Sequence, residues 1–318
     1  MKILLLLLSF ALYAVDYDCI FVGSSPIPLF EALYQYESGK KVLILEAADD
    51  CGGAWRSIDI CGVQHADLGC HQIGNDQNLA DFLRVYAGCS IVSLDQPNSA
   101  FTTRCSNGFY FSKGCYELIH NLKRRIAATS IELLVNHTVE WAQVDHDWVV
   151  IKAQGKQFSA KKLFFSPYCY FTNGKISRQV QKTKYYHLYV LISDPTPPRF
   201  CYSFGIPETS RMINLTHFVG LAESGRQLIA FQLYKDPTLH DGEKFLTELK
   251  KKNLVDSSAY ILTAEPYIYE QWPSNPPNLF PGQQQFFENL TTHSFQSMSS
   301  YIEKWKQVLK PYKEVILP

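Results

Sequence analysis

The chain has 318 residues, and its 30 basic and 30 acidic side chains cancel to a formal net charge of zero. That balance gives no reason to expect a nucleic acid or an anionic membrane surface as partner, and the length allows two intimately packed domains. The nine cysteines, at positions 19, 51, 61, 70, 89, 105, 115, 169 and 201, form no C-x-x-C pair; their odd number and scattered spacing argue against a disulfide framework or a zinc site, and no metal is expected.

Residues 1–14 hold one lysine and then an apolar run from Ile3 to Leu8 that continues to Ala14. This has the make-up of a signal peptide and is too short to span a bilayer. Leu12 suits a cut after Ala14 poorly, and a buried segment ahead of the first strand remains the alternative. Localisation follows that choice: exported or periplasmic if the segment is a signal peptide, cytoplasmic otherwise.

Asp18 to Ser57 is the most informative stretch. The apolar run Cys19-Ile20-Phe21-Val22 ends at Gly23. A Ser/Pro turn follows, then apolar residues at Ile27, Phe30 and Tyr34 and at Leu29 and Leu33, a helical spacing. Val42-Leu43-Ile44-Leu45 is a second run, closed by Glu46. Strand, turn, helix, strand and acid in that order, with the acid roughly 20 residues after the first glycine, make a dinucleotide-binding βαβ unit.

Gly52-Gly53 lies just beyond the acid, and Asp67-Leu68-Gly69-Cys70-His71 follows. The order Gly23, Glu46-Ala47, Gly52-Gly53, Asp67-x-Gly69 resembles the amino-terminal part of the FAD-dependent amine oxidase and phytoene desaturase superfamily, of which UDP-galactopyranose mutases are a related branch. Further points of likeness are Phe111-Ser112-Lys113-Gly114, the Val139 region and Phe164-Phe165-Ser166-Pro167, so about the first half of the chain is covered. The resemblance implies FAD as cofactor. Gly23, Ser24 and Ser25 would then lie at its pyrophosphate, Glu46 with Ala47 at the adenosine ribose and Val139 near the adenine. Gly52, Gly53, Trp55, Arg56, Asp67 and Gly69 would border the flavin end. His71 is the candidate catalytic residue, as a proton shuttle or polarising group, with a hydrogen-bonded structural histidine as the plainer reading.

The motif also departs from its family. Gly23-Ser24-Ser25-Pro26-Ile27-Pro28 keeps one glycine of G-x-G-x-x-G. Ser25 and Pro26 suit a helix N-cap and first position. However, Pro26 and Pro28 lack the N–H groups with which a helix start holds phosphate. Asp50-Cys51-Gly52-Gly53-Ala54 has no arginines flanking its glycines, and no Gly-Asp pair occurs near the carboxyl end.

Later elements follow from period and turn residues. Leu79, Phe82, Leu83 and Tyr86 form one helical face, and Cys115, Ile119, Leu122 and Ile126 form another. Ile131–Val135 reads as a strand, Trp141–Val144 and Trp148–Ile151 as a hairpin about Asp145-His146-Asp147, and Leu163–Phe165 as a buried strand. Tyr185–Ser193, Met212–Leu215, Gln227–Tyr234 and Tyr260–Ala264 read as strands, with a helix over Glu243–Asn253. Prolines 273, 276, 277 and 281 mark a linker before a final helix. Tyr186, Tyr189, Tyr267 and Tyr269 are candidates for an aromatic pocket, although aromatic residues also favour strands on packing grounds alone. Asn136, Asn214 and Asn289 begin glycosylation-type triplets, a pattern that chance also supplies.

The fold class expected is therefore α/β: a Rossmann-like FAD-binding domain (15–77 and 111–170, with the helix 291–318 packed on it) and an inserted mixed-sheet α+β substrate domain (78–110 and 171–290). The function expected is an FAD-dependent oxidoreductase acting on a small molecule, with no integral membrane span. A degenerate fold that has lost the cofactor and serves as a binding module is the alternative, and a mutase-like isomerase a weaker one.

Overall fold

Strand β1 (Tyr17–Val22), helix α1 (Pro26–Glu37) and strand β2 (Val42–Leu45) follow one another as the apolar runs require. Cys19 to Val22 pair in parallel with Val42 to Leu45, so the unit is βαβ and not a hairpin. All four residues of β2 are buried, which suits a strand covered on both faces. Helix α1 buries Leu29, Phe30, Ala32 and Leu33. Proline at its start costs nothing because the first N–H groups of a helix have no partner inside it.

The computed structural model describes residues 16–68, 77–93, 109–145, 148–165, 170–172, 175–177, 183–200, 202–203, 205–217, 219–221, 223–271 and 290–292. The amino-terminal segment 1–14, Gly69, His71, the proline-rich linker and all but the start of the expected terminal helix lie outside them. At that start, Leu290–Thr292 is a short strand.

The remaining elements are β3 (Ser57–Ile60), β4 (Val63–Asp67), α2 (Gln77–Tyr86), β5 (Ile91–Ser93), β6 (Phe109–Phe111), α3 (Gly114–Ala127), β7 (Glu132–Leu134), β8 (Val139–Asp145), β9 (Trp148–Ala153) and β10 (Lys156–Phe165). After them come β11 (Tyr170–Thr172), β12 (Lys175–Ser177), β13 (Thr183–Ser193), β14 (Tyr202–Ser203), β15 (Thr209–Asn214), β16 (Arg226–Leu233), α4 (Leu239–Lys251), β17 (Tyr260–Gln271) and β18 (Leu290–Thr292).

Contacts divide the chain into two units, one of residues 1–53, 122–181 and 274–315 and the other of 54–121, 182–273 and 316–318. The first holds a mixed sheet in the order β11-β12-β8-β9-β10-β1-β2-β7, with β18 beside β10. Strands β10, β1, β2 and β7 are parallel, while β8, β9 and β10 form an antiparallel meander. Ile20, Leu43 and Leu45 pack with Val139, Ala142, Val149 and Ile151 in one apolar cluster. Strand order turns at β1, which lies between β10 and β2. Ligands of open α/β sheets bind outside the carboxyl ends of strands at such a switch point.

The second unit is built on an antiparallel sheet in the order β14-β15-β16-β13-β17. Alternate residues of β13 serve opposite faces, as the two-residue period demands. Leu188, Val190 and Ile192 pack with Phe245, Leu246 and Leu249 of α4. Tyr189 and Leu191 pack with Ile60, Val63 and Ala66 of the β3–β4 hairpin. Helix α4 starts four residues before the expected Glu243, because Asp241 accepts hydrogen bonds from the Thr238 N–H (2.7 Å) and hydroxyl (2.9 Å). A buried polar network ties the end of this sheet: Asp194 accepts from Thr196 and Gln227, and Gln227 accepts from Asn214. Asn214 is wholly buried, so its triplet is part of this network and not an exposed glycosylation acceptor.

Candidate functional site

The turn after β1 is shaped by its one glycine. Gly23 has φ +100, and a Cβ built on it would meet nothing within 4 Å. Glycine is thus required by backbone conformation, and the space beside it is open. Its N–H donates to the Leu45 carbonyl at 2.8 Å, holding the turn to the end of β2.

Glu46, at that end, is buried. One carboxylate oxygen accepts the Ser24 N–H (2.9 Å) and the Ser24 hydroxyl (2.5 Å), and the other accepts the Ala48 N–H (2.8 Å). The Glu46 backbone is fixed as well, donating to Leu134 and accepting from His137. Gly52 has φ +117 and donates to the Ser24 carbonyl at 3.0 Å. Gly53 has φ +56, and a Cβ there would lie 3.6 Å from that of Ser25. Gly23, Ser24, Glu46 and Gly52 are thereby held in one hydrogen-bonded assembly at the carboxyl edge of β1 and β2, with Ala47 next to Glu46 in sequence and Gly53 close to Ser25. Val139, at the start of β8, shares a cluster with Leu45 of β2.

This geometry gives Ser24 a role that the sequence did not reveal. Both of its donors are directed to Glu46, so it braces the acid and offers a passing phosphate no free proton. Ser25 is the N-cap residue of α1 and makes no side-chain capping bond, which leaves its hydroxyl available. Of the first three helical positions, Pro26, Ile27 and Pro28, only Ile27 carries an N–H. The anion-binding capacity of this helix start is therefore small. The carboxylate of Glu46 keeps acceptor capacity on the oxygen that takes only the Ala48 N–H, since a carboxylate oxygen has two lone pairs.

The other candidates belong to the second unit. Asp67, at the end of β4, is 1% exposed. It accepts from the Ser57 hydroxyl (3.0 Å) and from the Cys115 N–H (2.9 Å) in the first turn of α3. A carboxylate there complements the helix dipole, yet burial still pushes its pKa up to about 6. Trp55 lies edge-on to Phe111 at 6.2 Å, and Arg56 is half-buried. Tyr189 donates its hydroxyl to the Asp67 carbonyl at 3.3 Å, and Tyr269 donates to the Leu68 carbonyl at 3.4 Å. The backbone leading into Gly69 is thus held on the sheet by two tyrosines.

Of the four tyrosines expected to share a pocket, Tyr186 does not join the rest. It packs on the α4 side, whereas Tyr189 and Tyr267 pack on the opposite side. Tyr185 and His187, its neighbours in sequence, take that face instead. Strand alternation is the signal that separates them. Five cysteines among the described residues, Cys19, Cys51, Cys61, Cys89 and Cys115, are buried free thiols.

No protein-family model matches the sequence, and no curated protein matches it. Solved structures do. A putative protoporphyrinogen oxidase from Exiguobacterium sp. 255-15 superposes with a TM-score of 0.61 at 8% identity, over 92% of this chain and 99% of that one. A reduced UDP-galactopyranose mutase gives 0.61 at 12% identity, over 86% and 85%. An oxidoreductase from Methanosarcina mazei gives 0.57 at 14% identity, over 86% and 94%. At such identities the likeness establishes architecture, and it extends over both units. The chain has the Rossmann-like α/β fold of these solved structures.

Proposed function

We propose that this protein is an FAD-dependent oxidoreductase acting on a small organic molecule, with the first unit holding the cofactor and the second the substrate. The observation that carries this reading is the assembly of Gly23, Glu46 and Gly52 at the switch point of the parallel sheet, with open space where a Cβ on Gly23 would stand. The residues fit the adenosine end of FAD. Glu46 would accept the ribose hydroxyls, Val139 would border the adenine, and Ser25 with the Ile27 N–H would meet the pyrophosphate. Gly52 and Gly53, both at positive φ and next to Ser24 and Ser25, would line the path of the cofactor. The flavin, when bound, supplies the redox chemistry, so the protein needs few reactive groups of its own. His71 is the residue we assign to proton transfer with substrate.

A second reading has its own support. With Pro26 and Pro28 in the first turn and both Ser24 donors committed to Glu46, the fold is equally self-sufficient without a cofactor and would then serve as a binding module. The likeness to a UDP-galactopyranose mutase keeps a flavin-dependent isomerase as a third. Titration of the purified protein with FAD, followed by gel filtration and absorbance, separates the first reading from the second. Co-eluting flavin supports the oxidoreductase, and protein that elutes without flavin after excess FAD supports the cofactor-free module.

A further inference from the structure

Helix α4 closes one face of the five-stranded sheet in the second unit, and the opposite face holds a histidine that the fold leaves unsatisfied. His187, in β13, is 0% exposed, yet neither of its ring nitrogens has a hydrogen-bond partner. A neutral imidazole is one donor and one acceptor. Leaving such a group buried and unpaired is costly, so its retention calls for an explanation. Burial, and secondarily the Arg211 charge, hold its pKa down at about 3. The ring is therefore neutral at any ordinary pH.

Its surroundings are aromatic. Tyr269 meets it edge-on at 5.2 Å, and Tyr189 lies at 5.8 Å. Tyr185 stacks on Tyr269 at 5.4 Å, and Tyr267 lies 5.9 Å from Tyr269. Tyr185, Tyr267 and Tyr269 are only half-buried, so part of this ring surface is accessible. The Arg211 guanidinium is felt at both His187 and Tyr269. Glu265, paired with Tyr189 across the strands, is one acid of this face and accepts from the Cys61 N–H at 2.9 Å; the Asp67 carboxyl also acts on Tyr189. The face thus offers flat rings, an unused N–H and a positive charge.

We propose that this face binds a planar aromatic carboxylic acid, its ring against Tyr185, Tyr267 and Tyr269 and its carboxylate accepting the His187 N–H beside Arg211. A carboxylate only accepts hydrogen bonds and is favoured near a guanidinium, whereas an ammonium group would be repelled there. Because His187 is closed off, binding has to shift a neighbouring tyrosine ring. As an assignment of substrate class this rests on the oxidoreductase reading, but the binding step needs no redox chemistry.

Calorimetric titration of the full-length protein with three ligands of one ring type tests it: 4-hydroxyphenylacetate, the corresponding alcohol and tyramine. The acid is expected to bind at least about tenfold more tightly than either of the others, a difference of about 1.4 kcal/mol. His187→Phe, which keeps a flat ring but removes both nitrogens, should weaken the acid by about tenfold. Arg211→Gln should abolish the preference for acid over alcohol, and it stands as the test if the histidine variant does not fold. An acid that binds no better than tyramine, or that is indifferent to both substitutions, overturns the proposal. The same titration on the unaltered protein, after incubation with excess FAD and gel filtration, separates the two readings. Acid preference in protein that takes up no flavin means the cofactor assignment has failed, and flavin retained with no acid preference means this one has.

Discussion

Glu46 is a residue with two claims on it. Its carboxylate accepts from Ser24 twice and from Ala48 once, and the ribose of a bound FAD would be a further partner. Glu46→Ala should therefore do two things. It should leave buried donors unpaired, lowering unfolding free energy by about 1–3 kcal/mol, and it should weaken FAD binding by a similar amount. Denaturant melts and FAD titration read the two separately. A loss of stability with unchanged FAD affinity would make Glu46 a brace only. The acid and its distance from Gly23 were legible in the sequence. Its engagement with Ser24 was not, because a serine at a degenerate glycine position carries no sign of which way its hydroxyl turns.

Asp67 makes the second prediction at this scale. Its folded pKa of about 6 lies above the unfolded value of about 3.9. The protonated form is therefore the one the fold prefers. Stability from this group is fully present below the unfolded pKa and is lost as pH rises through about 6, a fall on the order of 3 kcal/mol. Asp67→Asn keeps an acceptor for Ser57 and Cys115 and should flatten that slope in urea melts taken between acid and neutral pH. An equally steep slope in the variant would mean that another group is responsible. The aspartate stood out in the sequence for its place in a motif, while its seat at the start of α3 is a long-range contact that no local pattern announces.

At the scale of elements, period and punctuation carried most of the information. Helix α2 buries Leu79, Phe82, Leu83 and Tyr86, the same four residues that its spacing marks. The hairpin of β8 and β9 pairs Asp145 with Trp148, as the Asp-His-Asp turn requires. Parity was the weaker guide. Tyr186 and Tyr189 stand an odd number of residues apart along β13 and so face opposite sides of the sheet, while Tyr185 and His187 share the side of Tyr189. Helix starts were the other weakness. Thr238 and Asp241 extend α4 by four residues because their side chains satisfy its first backbone groups, and Thr238→Ala should cost about 1 kcal/mol in a thermal or urea melt. An unchanged midpoint would show that packing of Phe245 and Leu249 alone sets where the helix begins.

Helix α1 carries the prediction that bears on cofactor strength. Pro28 withholds one backbone donor from the first turn, and Ser25 stands where Gly53 comes close. Changing Ser25 and Pro28 together to glycine should open the turn, restore a donor and tighten FAD, with some loss at the helix start. FAD that is already tight, and is weakened by this change, would instead make the Ser/Pro turn a working variant of the phosphate loop.

For the whole molecule, the two units differ in how far local sequence specifies them. The first follows from a local strand–helix–strand pattern, and its parallel pairing is what that pattern implies. The second is an antiparallel sheet of strands far apart in sequence, where β13 lies between β16 and β17. Strand signals gave its members but not their order, since order depends on long-range pairing. Among the described residues no helix is long and apolar enough to cross a membrane. The central claim is that the assembly around Gly23 and Glu46 holds a cofactor. The absorbance spectrum of the protein, incubated with excess FAD and freed of unbound flavin by gel filtration, tests this most directly. The account predicts flavin bands that co-elute with the protein and diminish in Glu46→Ala. Protein that is folded, monodisperse and without flavin absorbance after that treatment would contradict it.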